Sequence, residues 1–273
     1  MRIDRFFGFG KRDLLVPYFN FSIALKNSIS TSALKEIFQL RYAVYCIECQ
    51  FLAPEEFKDG LEMDEYDTCS THFSAYSMDN IIVGAVRLVQ PDSHLSYPFE
   101  NHCSVFENYV MPPRDRSAEI SRLVVRKSYR RRRGDSMQGI SKDFTERGSP
   151  QSIQPHGRIN RRDGNSPLLL LGLYREMYRY SKKNGIRYWY AAMERSLARS
   201  LDKMGFRFVP IGPQTDYYGP VSPYIVDLEE LNERLHLENK FLAAWFNDEP
   251  MPFLIVVRAF LGLGFRKFIK KRQ

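Results

Sequence analysis

Two stretches that otherwise read as buried β-strands contain charged residues. Glu119 and Arg122 lie in AEISRLVV (118–125), and Arg87 lies in VGAVRLV (83–89). A strand points successive side chains to opposite faces, and a buried arginine keeps its charge, so it needs a carboxylate or a bound anion. These strands therefore hold either internal ion pairs or the charged residues of an active site.

The acidic segment 60–67, GLEMDEYD, offers partners for these arginines. Its four carboxylates are those of Glu62, Asp64, Glu65 and Asp67. Their spacing does not match an EF-hand calcium loop. Acidic loops are commonly solvated, but carboxylates can also bind a divalent metal, for which the signal here is weak, hold a cationic substrate group or orient arginines. We expect Asp64 and Asp67, rather than the two glutamates, to pair with the strand arginines and to organise a pocket.

The spacing of Glu119 and Arg122 raises a geometric question. Residues three apart in a regular strand face opposite sides of the sheet. A β-bulge would bring the two side chains together, and bulges are frequent next to active sites. The pair therefore favours a distorted strand if both residues serve one site.

Other chemistry-bearing motifs are absent. The chain has no G-x-S-x-G, P-loop or G-x-G-x-x-G sequence, and its five histidines form no ligand cluster. Of the four cysteines, only those in CIEC (46–49) have metal-like spacing, with no second pair to complete a site. We predict no metal site and reduced, packed thiols.

The net charge of +8 is concentrated in two segments. Residues 126–163 contain eleven Lys or Arg and four Asp or Glu, and residues 266–272 contain five basic residues and no acidic ones. Such patches favour an anionic partner: nucleic acid, a membrane surface or an acidic protein. Only Tyr129 accompanies the basic run YRRRR, so the aromatic platform typical of nucleic-acid binding is lacking.

Hydrophobic periodicity indicates the elements that must position these residues. It predicts helices over 28–49, 166–185, 194–205 and 230–246 and strands over 72–78, 81–90, 118–126, 186–193, 206–212 and 221–228. The order predicts an α+β fold, a mixed α/β sandwich with a mostly antiparallel sheet of six or seven strands flanked by helices. We expect one domain over 1–230 with a mobile basic insertion at about 127–165, followed by a helical basic tail over 231–273.

The order of these segments along the chain resembles that of a known family. The segments LRYAVYCIECQFL (40–52), GLEMDEYD, VGAVRLV and EISRLVV occur in the same order as in acyl-homoserine-lactone synthases and long-chain N-acyl amino acid synthases of the GNAT superfamily. The fuller resemblance is to acyltransferases associated with the PEP-CTERM/exosortase system, through RYAVYC, YRRRR and IGPQTDYYGPVSPY (211–224). It covers roughly residues 20–228.

The resemblance implies a GNAT-like fold and a set of site residues. The positions that match the functional cluster of the lactone synthases are Arg41, Tyr45, Phe51, Asp64, Asp67, Arg87, Glu119 and Arg122. Glu119 would be the general base, directly or through water, or would orient Arg122. The lactone enzymes usually have Trp where this chain has Phe51 and Phe where it has Tyr45, which favours an amino-acid-like acceptor.

The implied reaction moves a long-chain acyl group from acyl-carrier protein, or acyl-CoA, to the amine of an amino acid or similar small molecule. The donor is the acyl-phosphopantetheine thioester, and no tightly bound cofactor is implied. The residues expected to contact the carrier and its phosphopantetheine are Arg126, Lys127, Arg130, Arg131, Arg132, Arg133 and Ser166. The alternatives are a lactone-type synthase, an acetyl-CoA-dependent enzyme, or a non-enzymatic module that binds polyanions or membranes.

Localisation follows from the same features. The N-terminus lacks the apolar core of a signal peptide, and no stretch reaches the length of a spanning helix. We expect a cytoplasmic protein without nucleic-acid binding. The basic, apolar tail (251–273) is a candidate for peripheral contact with the inner membrane, for packing on the domain, or for a subunit contact.

Overall fold

Eight β-strands form one mixed sheet. The computed structural model describes residue 16 and residues 18–25, 32–57, 59–92, 94–130 and 166–250 of the 273-residue chain. The strands are β1 (Phe19–Ala24), β2 (Ser70–Ser77), β3 (Ile82–Val89), β4 (Ser117–Val125), β5 (Tyr188–Glu194), β6 (Val209–Pro210), β7 (Thr215–Asp216) and β8 (Pro220–Asp227). Their order is β1-β2-β3-β4-β5-β8-β6, with β7 paired to β8. Only β4 and β5 are parallel; every other pair is antiparallel.

Helices cover both faces of this sheet. They are α1 (Ser32–Tyr42), α2 (Ser166–Lys183), α3 (Arg195–Lys203), α4 (Leu228–Glu238) and α5 (Lys240–Asn247). A π-helical segment, Ala43–Glu48, continues α1. None of the helices in the described ranges is long and apolar enough to cross a membrane.

The apolar residues form a main core and two smaller clusters. The main core joins one face of the sheet to α2, α4 and α5, and its buried residues include Ile120, Leu173, Trp189 and Phe246. On the opposite face, one cluster packs α1 on β3 and β4. The second packs the loop around Tyr97 and Phe99 on β5 and β8. Because all eight residues of β3 are buried, a charged residue there must find its partners inside the protein.

The α+β fold class predicted from the sequence is confirmed, but the strand count is one above the predicted range. Both β1 and the two-residue β7 went unpredicted. The edge strand β1 leaves part of its surface exposed and alternates poorly in hydrophobicity, and β7 is too short to show a period. The predicted helix 230–246 is two helices, because Asn239 leaves the helical conformation and its side chain caps α5 through the Leu242 amide.

Parts of the predicted insertion and tail lie outside the described residues: 131–165, which include Arg131, Arg132 and Arg133, and 251–273. The described helices α4 and α5 contribute buried residues to the same core as α2. The predicted start of α2 at Ser166 agrees with the structure.

Candidate active site

A β-bulge in β4 sets the geometry of the site. Arg87 pairs with Ser121, whereas Ala85 pairs with Val124, so Val86 alone lies opposite both Arg122 and Leu123. Arg122 adopts a φ of 52°, a conformation that is strained for a side chain of this size. The distortion places the guanidinium of Arg122 on the face of the sheet that carries Ser121 and Arg87. There, Arg87 Nε donates a hydrogen bond to Ser121 Oγ (2.8 Å). The bulge proposed from the sequence is present.

Six charged side chains on this face form a closed ring in which arginines and carboxylates alternate. In order around the ring they are Arg41, Glu62, Arg122, Asp64, Arg87 and Asp67. The three cations come from α1, β3 and β4, and the three anions come from the segment 60–67. Equal numbers of charges make the ring neutral as a whole.

Two aspartates link the cations of this ring. Asp67 Oδ1 lies 2.6 Å from Arg41 Nη1 and 2.8 Å from Arg87 Nη1. Asp64 Oδ2 accepts from Arg87 Nη2 at 2.8 Å and lies 2.9 Å from Arg122 Nη2. The two aspartates also cap the 3-10 turn that follows, where Asp67 Oδ2 accepts from the Asp64 amide (2.8 Å). The turn thus positions both carboxylates for their contacts with the arginines.

In the ring, burial and ion pairing shift the pKa values in opposite directions, and ion pairing has the larger effect. Burial alone would raise the pKa of Asp67, but Arg41 and Arg87 hold it well below its usual range. The pKa of Asp64 is also lowered, because bonding to Arg87 and the charge of Arg122 outweigh its desolvation. Desolvation would lower the pKa values of Arg41 and Arg122, yet the carboxylates raise both. These four groups therefore stay ionised inside the protein.

Glu62 corrects the ranking made from the sequence, which favoured the aspartates over it. Its carboxylate is fully buried, with Oε2 bonded to Arg41 Nε and Oε1 3.0 Å from Arg122 Nε. The sequence does not separate Glu62 from Glu65, because both lie in the same acidic segment and the partners of Glu62 come from α1 and β4. Glu65, by contrast, is exposed.

Glu119 lies beside the ring but outside it. Its side chain is buried, Oε2 accepts a bond from the Phe99 amide (2.9 Å), and it has no ion pair with another described residue. Burial raises the pKa of Glu119 to about 8, although the Phe99 amide and the charges of Arg87 and Arg122 act in the opposite direction. A carboxyl with such a pKa can take up and release a proton near neutral pH.

The alternative role for Glu119, orienting Arg122, is not supported by a contact. The guanidinium of Arg122 is bonded to Glu62 and Asp64. The bulge brings Glu119 and Arg122 to one site, but the acidic segment supplies the direct partners. Sequence spacing alone could not separate these two arrangements.

Strands β4 and β5 separate at Glu119. Their parallel pairing runs from Ser117 opposite Tyr188 to Glu119 opposite Tyr190. Beyond this rung, β4 continues to Val125 and β5 to Glu194 without further pairing between them. The facing backbone edges of the two strands therefore line an opening in the sheet, and Glu119 lies at its closed end.

Aromatic side chains surround the outer side of Arg122. Its guanidinium lies 5.6 Å from the centre of the Tyr45 ring, and the Tyr45 hydroxyl donates to the Leu123 carbonyl (3.3 Å) in the bulge. Phe51 packs between Tyr45 and Tyr218, with ring centres 6.3 Å and 5.2 Å apart. The predicted residues Tyr45 and Phe51 thus form a wall beside the charged ring.

The basic residues at the exit of β4 differ in exposure. Arg126 and Lys127 are exposed, whereas Arg130 is tied to Glu48 (2.6 Å) and to the Val125 carbonyl (2.5 Å). Sequence reasoning missed Arg195 and Arg199, which are exposed on α3 directly after the end of β5. Their spacing of four on a helix was the available signal. Cations thus flank the open end of the gap on both sides.

His72 and the cysteines add little chemistry. Burial lowers the pKa of His72 to about 4, so the ring is neutral, with Nε2 3.7 Å from Asp67 Oδ1. None of the four cysteines forms a disulfide. Within the described ranges, no group of three or more His, Cys, Asp or Glu residues is arranged to hold a metal ion. A concavity of about 540 Å³ beside Cys46 and Pro54 does not include Glu119.

Comparison with known proteins supports the fold. Residues 40–138 match the model of the acetyltransferase (GNAT) domain. The AHL synthase LasI (AHL, acyl-homoserine lactone) is 14% identical with a TM-score of 0.52, covering 77% of this chain and 90% of LasI. BjaI, a CoA-dependent acyl-homoserine lactone synthase, is 19% identical with a TM-score of 0.54, covering 84% of this chain and 99% of BjaI in its structure with MTA.

A third structure, the CoA-dependent acyl-homoserine lactone synthase MesI, is 15% identical with a TM-score of 0.50, over 80% of this chain and 94% of MesI. A search of curated protein sequences gave no significant match. The fold is therefore GNAT-like, and the segment that matches the domain model contains the whole charged ring and Glu119.

Proposed function

We propose that this protein is an N-acyltransferase that moves a long-chain fatty acyl group from a thioester to the amine of a small acceptor. The observation that carries the proposal is the Glu119 carboxyl, which is buried and has no counter-ion among the described residues. Its pKa of about 8 suits a base that accepts a proton near neutral pH. Its position at the closed end of the gap between β4 and β5 gives that base an approach for substrate.

The chemistry needs little from the protein beyond placement and proton transfer. The amine nitrogen attacks the thioester carbonyl carbon, a C–N bond forms, and the nitrogen gives its proton to Glu119. The tetrahedral intermediate collapses, the C–S bond breaks, and the leaving thiolate takes up the proton that Glu119 received, which regenerates the carboxylate. Because the thioester is already activated, orientation and stabilisation of the oxyanion complete the catalysis.

The opening between β4 and β5 supports binding of the donor. A phosphopantetheine arm contains amides that can bond to the unpaired backbone edges of the two strands. A backbone N–H at the β4 bulge is the candidate oxyanion donor, because strained backbone is commonly retained where a group must face a ligand. Phosphate would meet the start of α2 at Ser166, whose first amides lack helical partners.

The charge at the open end suits an anionic donor, and the proposed donor is acyl-carrier protein. Acyl-carrier proteins are acidic, and Arg126, Lys127, Arg195 and Arg199 present exposed cations on both sides of the gap. Arg131, Arg132 and Arg133 are further proposed contacts that lie outside the described residues. Arg130 would have to leave Glu48 to take part.

The acceptor side supports a small amine such as an amino acid. Arg122 and Asp64 are the ring members that keep some exposure, 19% and 23% of their side chains. One can meet a carboxylate and the other an ammonium group, while Tyr45 and Phe51 offer apolar contact. Arg41, Arg87 and Asp67 then serve to hold these two in place.

A second candidate is a lactone-type synthase. BjaI has been solved with SAM and isopentyl-CoA, and a similar acceptor here would make S-adenosylmethionine a substrate. Phe51 and Tyr45 argue for an amino acid instead, since the resembling lactone enzymes usually carry Trp and Phe there. A module that only binds polyanions is disfavoured because it has no use for a buried, unpaired Glu119.

The cellular setting is also proposed from the sequence. The resemblance to exosortase-associated acyltransferases and the basic tail 251–273 support a cytoplasmic enzyme that works at the inner membrane, where a lipid product would partition. Lipid mass spectrometry of a bacterial culture expressing the chain would identify that product.

The proposal is tested with the purified full chain. Palmitoyl-carrier protein, palmitoyl-CoA and acetyl-CoA are each offered with amino acids or S-adenosylmethionine, and products are read by mass spectrometry. We expect an N-acyl amino acid with the carrier-protein donor and a strong loss of turnover in Glu119→Gln. No product with any combination would refute the activity, and normal single-turnover acylation by Glu119→Gln would refute the base.

A further inference from the structure

The short segment Tyr97–Asn101 holds Glu119 through its backbone. The Phe99 amide donates to Glu119 Oε2 at 2.9 Å, and Glu119 Oε1 makes no hydrogen bond to another described residue. The orientation of the carboxyl therefore depends on where this segment places one N–H group. Because the segment lies in a loop and not in the sheet, its position depends on contacts at its two ends.

One end of the segment is fastened to the sheet. The Tyr97 hydroxyl donates to the Ser117 carbonyl (3.2 Å) at the start of β4, and the Tyr97 amide donates to Glu100 Oε2 (2.6 Å). The Tyr97 and Phe99 rings also pack on Tyr190, each with its ring centre 5.2 Å away.

The other end is fastened to the acidic turn. Asn101 Nδ2 donates to the Tyr66 hydroxyl at 2.6 Å. The Tyr66 ring lies under the Arg87 guanidinium, with 5.7 Å between its centre and Cζ, and the Tyr66 amide donates to Asp64 Oδ1 (3.0 Å). Tyr66 is thus buried against the charged ring, while Asn101 belongs to the segment that holds Glu119.

We propose that Tyr66 and Asn101 are positioning residues that couple the charged ring to Glu119. Their hydrogen bond fixes the Tyr97–Asn101 segment against the ring and keeps the Phe99 amide on the Glu119 carboxylate. Neither residue needs to touch substrate. The kinetic part of this inference rests on the proposed function, but the structural part does not.

The surroundings of Glu119 determine the direction of the expected effect. Titratable and charged groups face Glu119 from the sheet, the loop, the acidic turn and the β7–β8 hairpin. They are Arg87, Arg122, Tyr97, Glu100, Cys103, Tyr66 and Tyr217. Among the described residues, the Phe99 amide is the one hydrogen-bond donor to the carboxylate. Weakening that bond disfavours the ionised form, so the pKa of Glu119 rises.

The test uses Tyr66→Phe, Asn101→Ala and the double variant. Each removes one partner of the bond, and the exposed position of Asn101 makes folding of the second variant safe. We expect the acid limb of the kcat/KM profile to move up by about half to one pH unit in each. The double variant should move no further than either single one, because both remove the same bond.

Tyr178→Phe is the matched control. Its hydroxyl bonds to Asn232 Oδ1 (3.0 Å) and Asn247 Oδ1 (3.3 Å), so it loses a tyrosine–asparagine bond of the same kind between α2, α4 and α5. A purely structural loosening would lower its thermal stability without moving the pH profile. A shift as large as that of Tyr66→Phe would overturn the proposal.

A second readout does not depend on activity. Carbon-13 NMR of glutamate-labelled protein, with the Glu119 carboxyl assigned by Glu119→Gln, gives its pKa in the free protein. We expect the same upward shift in Tyr66→Phe and Asn101→Ala. Unchanged titration in both variants, or additive shifts in the double variant, would overturn the coupling. If the wild-type protein proves inactive, the proposed function fails while this titration still decides the inference.

Discussion

Glu119 on β4 and Tyr190 on β5 are the last residues paired across the two parallel strands. The candidate base therefore lies at the point where the sheet opens. Behind it, the Tyr190 ring packs on Phe99, and in front of it the facing backbone edges of the two strands are not paired with each other. A base at this position can reach a substrate held between the strands without leaving its buried surroundings.

The rate of acyl transfer should increase with pH. Burial raises the pKa of Glu119 to about 8, so the carboxyl is mostly protonated at pH 7 and becomes a base as the pH rises. We expect kcat/KM to rise about tenfold per pH unit below that value and to level off above it. Steady-state kinetics between pH 6 and 9.5 measure this. Glu65→Gln should keep the profile, and a flat profile in the wild type would remove Glu119 as the base.

The stability of the fold should show the opposite dependence. The folded protein binds the Glu119 proton up to pH 8, whereas the unfolded chain releases it near the ordinary value of 4.5. Between these values the native state binds more protons, so its free energy of unfolding falls as the pH rises, by about 1.4 kcal/mol per pH unit from this group. Glu119→Gln should lack this slope and gain stability over the wild type above pH 8.

His72 must be considered in the same experiment. Its lowered pKa of about 4, against an ordinary 6.5, means that the unfolded chain binds more protons between these values, and stability rises with pH there. The contribution is common to both proteins. The difference between Glu119→Gln and wild type in urea unfolding therefore isolates Glu119, and equal slopes from pH 6.5 to 8 would contradict its raised pKa.

Removing one carboxylate of the charged ring should be costly. Glu62→Gln leaves Arg41 and Arg122 without a shared counter-ion, and breaking a buried pair typically costs about 3–5 kcal/mol. Glu65→Gln makes the same chemical change three residues away at an exposed position, where about 0.5 kcal/mol or less is expected. Urea denaturation of both variants measures the difference. Similar losses would show that the ring does not stabilise the fold.

Charge reversal at the open end of the gap should weaken carrier-protein binding. Arg195→Glu with Arg199→Glu removes two cations beside β5, and we expect roughly tenfold or greater loss of affinity at low salt that shrinks as salt is added. Lys182→Glu with Lys183→Glu, at the end of α2, makes the same change in net charge away from the gap. Fluorescence anisotropy of labelled acyl-carrier protein measures both. Unchanged affinity in the double variant would remove this surface from the proposal.

Much of the sheet and the identity of the charged residues followed from the sequence. Arg87 and Arg122 stood out because a charge inside an apolar strand must have a partner, and the acidic segment supplied it. The bulge was foreseeable as a requirement, since Glu119 and Arg122 could not otherwise share a face. Asp64 and Asp67 pair with the strand arginines, as the sequence predicted. The sequence did not reveal that Glu62 joins Arg41 to Arg122.

The missed features depend on tertiary geometry. In the sequence, Glu62 cannot be distinguished from the other carboxylates of the acidic segment. In the structure, α1 places Arg41 beside it. The role of the Phe99 amide is invisible in sequence because it belongs to the backbone, where every residue but proline offers the same donor. Asn239, which divides the last helical region, is a residue type that favours a helix cap, but it lies inside an apolar pattern that continues on both sides of it.

The alternating ring of three arginines and three carboxylates has a consequence for ionic strength. Charges arranged in this way have no net monopole, and their potential cancels within a short distance of the ring. Mobile ions in the solvent therefore have almost nothing to screen there, whereas the exposed cations at the strand exits create a field that salt readily reduces. Added salt should consequently act on capture of the donor, through KM, and leave kcat nearly untouched.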